Sequence, residues 1–285
     1  MRWHVCTDGD ELLRRRNAAL TENESLYNLT WAAIARSRQT TTTAPGYAFF
    51  TLEDDQSTIA HAFVNHGAKL IVLSAMPSTA IDTLVPHIQR HAPTIETVEG
   101  PIEHAHRFAR CWTEGTNQAY TILMRQGLYE LTRLLPPEDD GGQLVRATAV
   151  NEGLLRDFFT GFCTECFPND PVEPEAIRAR ITRLIAEGKG YLWQNHRKAL
   201  VSMAAIVRET PNTSSISLVY TPPEHRGKGY AAQIVGSVSQ AQFSAGKQAC
   251  NLHTDLENGT SNRVYQRLGY AMIQQSVRIR LHTKA

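Results

Sequence analysis

Residues 219–231, V-Y-T-P-P-E-H-R-G-K-G-Y-A, restrict this chain more than any other stretch. The preceding S-S-I-S-L-V-Y reads as a strand that ends at Tyr220, and the following A-A-Q-I-V-G-S-V-S-Q-A-Q-F-S-A-G reads as a small-residue helix closed by Gly246. A strand, a proline-terminated turn containing Gly227 and Gly229, and a helix start therefore follow in direct succession. In that arrangement backbone N–H groups and the positive end of a helix dipole converge on a phosphate. Glycine lets a ligand oxygen approach the main chain where a β-carbon would stand in the way. Arg226 and Lys228 add positive charge. Two glycines one residue apart also occur in ordinary strand-to-helix turns. The stretch lacks the third glycine and the acidic partner of a dinucleotide fingerprint, and the Gly-Lys-Ser/Thr of a P-loop.

The string E-H-R-G-K-G-Y-A resembles the acyl-CoA pyrophosphate loop of the GNAT superfamily of N-acetyltransferases, whose pattern is Gln/Arg-x-x-Gly-x-Gly/Ala. Glu224 departs from the pattern at its first position, whereas Arg226-Gly227-Lys228-Gly229 keeps the rest. A second family feature follows at 252–270, L-H-T-D-L-E-N-G-T-S-N-R-V-Y-Q-R-L-G-Y, read as strand, short helix and Leu-Gly-Tyr exit. The resemblance covers residues 143–285. It implies that acetyl-CoA is a co-substrate, that a primary amine is the acceptor, and that no metal takes part. It also implies that main-chain groups of Leu218, Val219, Tyr220 and Thr221 pair with the pantetheine arm. His225, Arg226, Gly227, Lys228 and Gly229 would then meet the pyrophosphate through their backbone, with Tyr230 and Ala231 opening the helix. Tyr265 matches the family's general acid, which donates to the CoA thiolate; a tyrosine at that place is also a good packing residue. Asn258 and Asn262 match asparagines that hydrogen-bond CoA, and either one equally serves as a helix cap.

Length and charge set the outer bounds. A chain of 285 residues accommodates two ordinary domains or one large one. A formal net charge of +1 gives no electrostatic argument for nucleic acid or a membrane surface. No apolar run approaches the roughly 20 residues that span a bilayer. The charged start, without an apolar secretion segment, gives a cytoplasmic expectation. Five scattered cysteines fit reduced thiols better than a disulfide framework. A homodimer is compatible with all of this.

Along the first half, the patterns predict one or two helices over 17–38, a strand and turn over 46–55, strands over 57–66 and 70–74, and a helix over 78–92 with Ser78 as N-cap. A strand at 95–98, a helix over 102–114 and a long interrupted strand over 121–135 follow. This order is roughly that of the second half, but the nearest counterpart of the glycine loop, L-S-A-M-P-S-T at 73–79, has no glycine. Two readings stand side by side: a degenerate N-terminal copy of the same fold, or an unrelated α/β domain. The stretch L-P-P-E-D-D-G-G marks a boundary, because paired prolines and glycines continue neither a helix nor a central strand. The expected organisation is an N-terminal α/β domain over 1–135, a linker over 136–142 and a catalytic domain over 143–285. In the latter, a strand at 143–148, a helix capped by Asn151, a helix at 174–187 ended by Gly188 and a hairpin at 190–208 precede the loop. The fold class is α/β (α+β), a mixed central sheet flanked by helices, GNAT-like, with two similar domains in tandem.

No general base stands out. His253 lies on the strand facing the acceptor side, although a lone strand histidine is usually a packing residue. Glu173, Glu175 and Asp255 have no distinguishing spacing. Cys163-x-x-Cys166 has no second pair to complete a zinc site. His104 and His106, with Cys111, carry ligand-type side chains on different helix faces. Thr40 to Thr43 form a polar linker. Tyr191, Trp193 and Phe167 are candidate pocket residues, yet strand aromatics are usually core. The main rival function is a non-catalytic acyl-CoA sensor. A second is transfer of a longer acyl chain beside the small residues Ala204 and Ala205.

Overall fold

The computed structural model describes residues 1–39, 46–55, 57–168 and 172–284, so the predicted linker at 40–43 lies outside the described residues. The chain runs β1 (Arg2–Cys6), α1 (Gly9–Glu22), α2 (Asn28–Ser37), β2 (Tyr47–Glu53), β3 (Thr58–Asn65), β4 (Leu70–Leu73), α3 (Ser78–His91), β5 (Thr97–Pro101), α4 (Ile102–Thr113) and β6 (Gln118–Leu131). The same order then repeats: β7 (Gln143–Arg146), α5 (Glu152–Cys166), α6 (Pro174–Ala186), β8 (Gly190–Gln194), β9 (Leu200–Glu209), β10 (Thr213–Tyr220), α7 (Tyr230–Ser244), β11 (Ala249–Asp255), α8 (Gly259–Arg267) and β12 (Ala271–Thr283). Short 3-10 turns at Ala149–Asn151 and Pro223–His225 precede α5 and α7. The N-terminal half is therefore a second copy of the fold. Of the two readings, the unrelated domain falls.

Two compact units divide the chain, but not in chain order. One comprises Met1–Leu128, Thr254–Asn258 and Met272–Ala285, the other Tyr129–His253 and Gly259–Ala271. The expected cut at 136–142 differs from this division: that segment lies inside the second unit, and nearly all of β12 groups with the first. In the first unit the strand order is β1-β2-β3-β4-β5-β12, with β6 next. β12 runs antiparallel to β5 from Ser276↔Pro101 to Arg280↔Thr97. Successive strand residues face opposite sides of the sheet. Phe50 accordingly joins Ile81, Leu84, Phe108 and Trp112 of α3 and α4, while Phe49 joins Leu12, Leu20 and Ile34 of α1 and α2.

The second unit has the same plan. Its strand order is β11-β10-β9-β8-β7, with β10 and β11 parallel and the other pairs antiparallel. Phe158 of α5 and Leu184 of α6 pack on Met203 and Ala205, whereas Ile234 and Val238 of α7 and Leu268 pack on Ala204 and Ile206. Each fully buried side chain of this kind contributes about 1.5–3 kcal/mol. Residues 136–142 are packed as well: Trp193 Nε1 donates to Asp140 at 3.1 Å, and Gln233 donates to the Glu138 carbonyl.

Two expected caps differ. Pro77, not Ser78, precedes α3, with no side-chain cap bond. Asn151 accepts the Thr148 N–H at 3.2 Å in a capping box and makes no side-chain cap for α5. Among the described residues, no helix is long and apolar enough to cross a membrane.

Candidate functional site

The site is built from the irregular end of β10. β10 pairs with β11 only at Thr213↔Ala249, Ser214↔Cys250 and Ser215↔Asn251, leaving Ile216 to Tyr220 without a rung on that side. The last rung is reinforced by the Ser215 hydroxyl, which donates to Asn251 Oδ1 at 2.7 Å, both side chains being fully buried. On the other side, Ser217↔Ala205 is followed by Tyr220↔Met203, so β10 carries one extra residue there. Leu218 absorbs it at φ +55°, a left-handed conformation uncommon in a non-glycine residue. The bulge reverses the strand's phase. Ile216 faces the α7 side, whereas Leu218 packs on the α5 and α6 side and Val219 returns to the α7 side. Ser202 of β9 supports the disrupted ladder by donating to the Tyr220 carbonyl at 2.9 Å, and its hydroxyl lies 2.9 Å from that of Thr221.

The glycine loop leads straight from that bulge. His225 N–H returns to Pro222 at 2.9 Å, and Gly227 and Gly229 take φ of +75° and +81°. Gly229 is the N-cap of α7, and the N–H groups of Ala232 and Gln233 turn back to its carbonyl at 2.9 and 3.1 Å. The first-turn N–H groups of a helix have no intrahelical acceptor, so this end presents donors together with the dipole's positive end. A β-carbon on Gly227 or Gly229 would meet nothing within 4 Å. The glycines thus serve the turn's positive φ and leave the approach to the main chain clear, a cradle that fits a pyrophosphate. Arg226 is exposed, but its guanidinium is engaged by Glu165 and by the Thr221 carbonyl. Lys228 Nζ donates to the Glu224 carbonyl at 3.2 Å.

Tyr265 lies on α8, buried in the same cluster against which Val219 packs, and its ring meets Tyr270 edge-on at 6.1 Å. Burial pushes its hydroxyl pKa well up, the Cys166 thiol adds to the rise, and a Ser261 hydrogen bond opposes it. The phenol therefore stays protonated across the neutral range. Asn262 sits in the first turn of α8. Asn258 precedes that helix, in the short segment grouped with the first unit, and its N–H donates to the Asp255 carbonyl at 3.1 Å.

Among the candidate bases, His253 is held neutral, its pKa lowered to about 3 by burial and then by the charge of Arg208. Asp255 accepts the Glu257 N–H at 2.9 Å in a local turn, and Glu175 makes an exposed contact with Arg178. Tyr191 and Trp193 are core, as are Ala204 and Ala205. Ser202, Asn251, Gly161 and Glu165 carry no mark in the sequence pattern. These are ordinary polar or small residues whose roles depend on partners far away in the chain.

In the first unit the matching place is closed. A β-carbon on Gly100 of β5 would lie 2.9 Å from the Leu73 β-carbon, so β4 and β5 stay in contact where β10 and β11 part. His104 Nε2 lies 2.5 Å from the Met76 carbonyl and fills the turn before α3. His106 faces Tyr120 instead, and the Cys111 thiol donates to Asp82 at 3.5 Å. His4, Cys6 and Glu11 cluster within 4.8 Å. The Glu11 carboxylate there is filled by the Thr7 N–H and hydroxyl, by Arg15 and by His4, as part of the cap of α1.

The comparisons agree with this geometry. Residues 195–279 match the family model described as FR47-like protein. The chain superposes with a TM-score of 0.64 at 15% identity on a GCN5-related N-acetyltransferase from Sphaerobacter thermophilus, covering 99% of this chain and 96% of that one. A GNAT-family acetyltransferase from Colwellia psychrerythraea gives 0.55 at 10% identity over the whole of both chains. A tandem GNAT protein from the clavulanic acid biosynthesis pathway gives 0.55 at 9%, covering 100% and 99%. No curated protein matches the sequence. The chain thus shares the fold of these N-acetyltransferase structures, with that fold laid down twice.

Proposed function

We propose that the chain is an acyl-CoA-dependent N-acyltransferase whose second unit carries the cofactor cleft, with acetyl-CoA as donor and a primary amine as acceptor. The observation that carries this reading is the parting of β10 from β11 after Ser215 and Asn251, directly ahead of the Gly227 and Gly229 loop. Acyl-CoA supplies an activated thioester. N–H groups of residues 227–231 hold its pyrophosphate, and main-chain groups of Leu218 to Thr221 align its pantetheine arm along the unpaired strand edge. The acceptor amine attacks the carbonyl carbon, the C–N bond forms and the C–S bond breaks. Tyr265, kept protonated by burial, delivers a proton to the departing sulfur, and the proton that the nitrogen sheds as the amide forms restores the phenol by way of water. With its pKa near 3, His253 is too weak a base for an ammonium proton, which leaves to water.

Calorimetric titration of the full chain with acetyl-CoA, followed by a thiol-release assay over a panel of amines, tests the reading. Saturable binding with amine-dependent thiol release supports it. Binding without release by any amine would leave an acyl-CoA sensor, and absence of binding would remove the reading altogether.

A further inference from the structure

One carboxylate ties three parts of the candidate site together. Glu165, in the last turn of α5, receives Arg226 Nη2 on both oxygens at 2.7 Å, and the Tyr220 hydroxyl donates to its Oε1 at 3.1 Å. Arg226 Nε donates back to the Thr221 carbonyl at 2.8 Å, and its guanidinium carbon lies 5.7 Å from the centre of the Tyr220 ring. The arginine therefore closes residues 221–226 into a loop and clamps that loop to α5. Tyr220 reaches the carboxylate over Gly161, where a β-carbon would come within 2.5 Å of the hydroxyl oxygen. Both ionic partners are close to half exposed, and such a pair adds little to stability by itself. A two-oxygen clamp with flanking bonds instead fixes direction.

We infer that Glu165 is a positioning residue for acyl-CoA: through Arg226 and Tyr220 it holds the exit of β10 and the start of the glycine loop in the geometry that receives the pyrophosphate. On this account Arg226 serves the phosphates through Glu165 rather than by touching them, since two of its donor nitrogens point to α5 and to Thr221. The inference rests on the acyl-CoA reading given above.

A double-mutant cycle on the full chain tests it, with Glu165→Gln, Arg226→Gln and the double variant titrated with acetyl-CoA. Each single change should weaken binding about tenfold, and the double variant should bind no worse than the weaker single. In turnover assays the loss should appear in KM for acetyl-CoA, with kcat and KM for the amine unchanged; a merely destabilised protein would lose active fraction and so kcat. Wild-type binding that Glu165→Gln leaves unchanged or tightens overturns the inference alone, as does a double variant whose loss is the product of the singles. No binding by the wild-type chain overturns the acyl-CoA reading and the inference with it.

Discussion

Gly161 and Tyr220 compete for the same space: a β-carbon at 161 would lie 2.5 Å from the Tyr220 hydroxyl oxygen and 2.7 Å from the ring carbon that bears it. Gly161 is interior to α5, where glycine costs about 1 kcal/mol relative to alanine. Gly161→Ala should nevertheless lose about 1–2 kcal/mol net, because the displaced ring breaks its bond to Glu165 and its contact with Phe158. Urea unfolding measures this. Adding Tyr220→Ala should return part of the helical gain; a stabilised Gly161→Ala single variant would show that the ring moves freely.

Gly229 presents the opposite situation, a glycine with no neighbour in the way of a side chain. Its φ of +81° strains any L side chain by about 1–2 kcal/mol, while the surrounding space is open. Gly229→Val should therefore leave a folded protein by circular dichroism with a modestly lower unfolding midpoint, yet abolish acetyl-CoA binding. Retained affinity would remove the loop from the cofactor site.

Tyr265→Phe separates packing from proton delivery. The ring and its edge contact with Tyr270 survive the change, so the fold and acyl-CoA affinity should be little altered. Turnover should fall roughly 100-fold, as for loss of a general acid. Undiminished turnover would assign the proton donor elsewhere.

How legible this architecture is depends on how local each cause is. The loop is readable because a positive φ selects glycine, and Gly227 and Gly229 record that demand in the sequence. The bulge is not readable, because Leu218 takes φ +55° without being glycine, in a segment where Ser202 bonds the Tyr220 carbonyl and Leu218 and Val219 pack on opposite faces. The tandem repeat is visible in the order of hydrophobic runs. The grouping of β12 with the first unit is not, because strand pairing such as Val277↔Gly100 is decided by register between residues far apart in sequence. The Glu165 clamp joins residues 61 positions apart and has no local signature. The burial of Tyr265 likewise exceeds what a motif position conveys.

Acid should destabilise the first unit through His61. This side chain is fully buried, with Nε2 2.9 Å from the Thr30 hydroxyl and its ring edge-on to Tyr27. Burial, and then the charge of Arg16, lowers its pKa from 6.5 to about 3. The unfolded chain therefore binds the proton first as the pH falls below about 6.5, so the contribution is complete above that value and is lost progressively down to about 3. Within that window the slope from one such histidine is about 1.4 kcal/mol per pH unit. His253 has the same depressed value and adds its own loss. His87 and His106, whose values burial also lowers, add to the slope in both proteins. Between pH 6.5 and 5, above the range of ordinary carboxylates, unfolding free energies of the wild-type chain should decline more steeply than those of His61→Gln, by up to about 1.4 kcal/mol per pH unit. Equal slopes for the two proteins would mean that His61 takes up its proton without leaving the folded state.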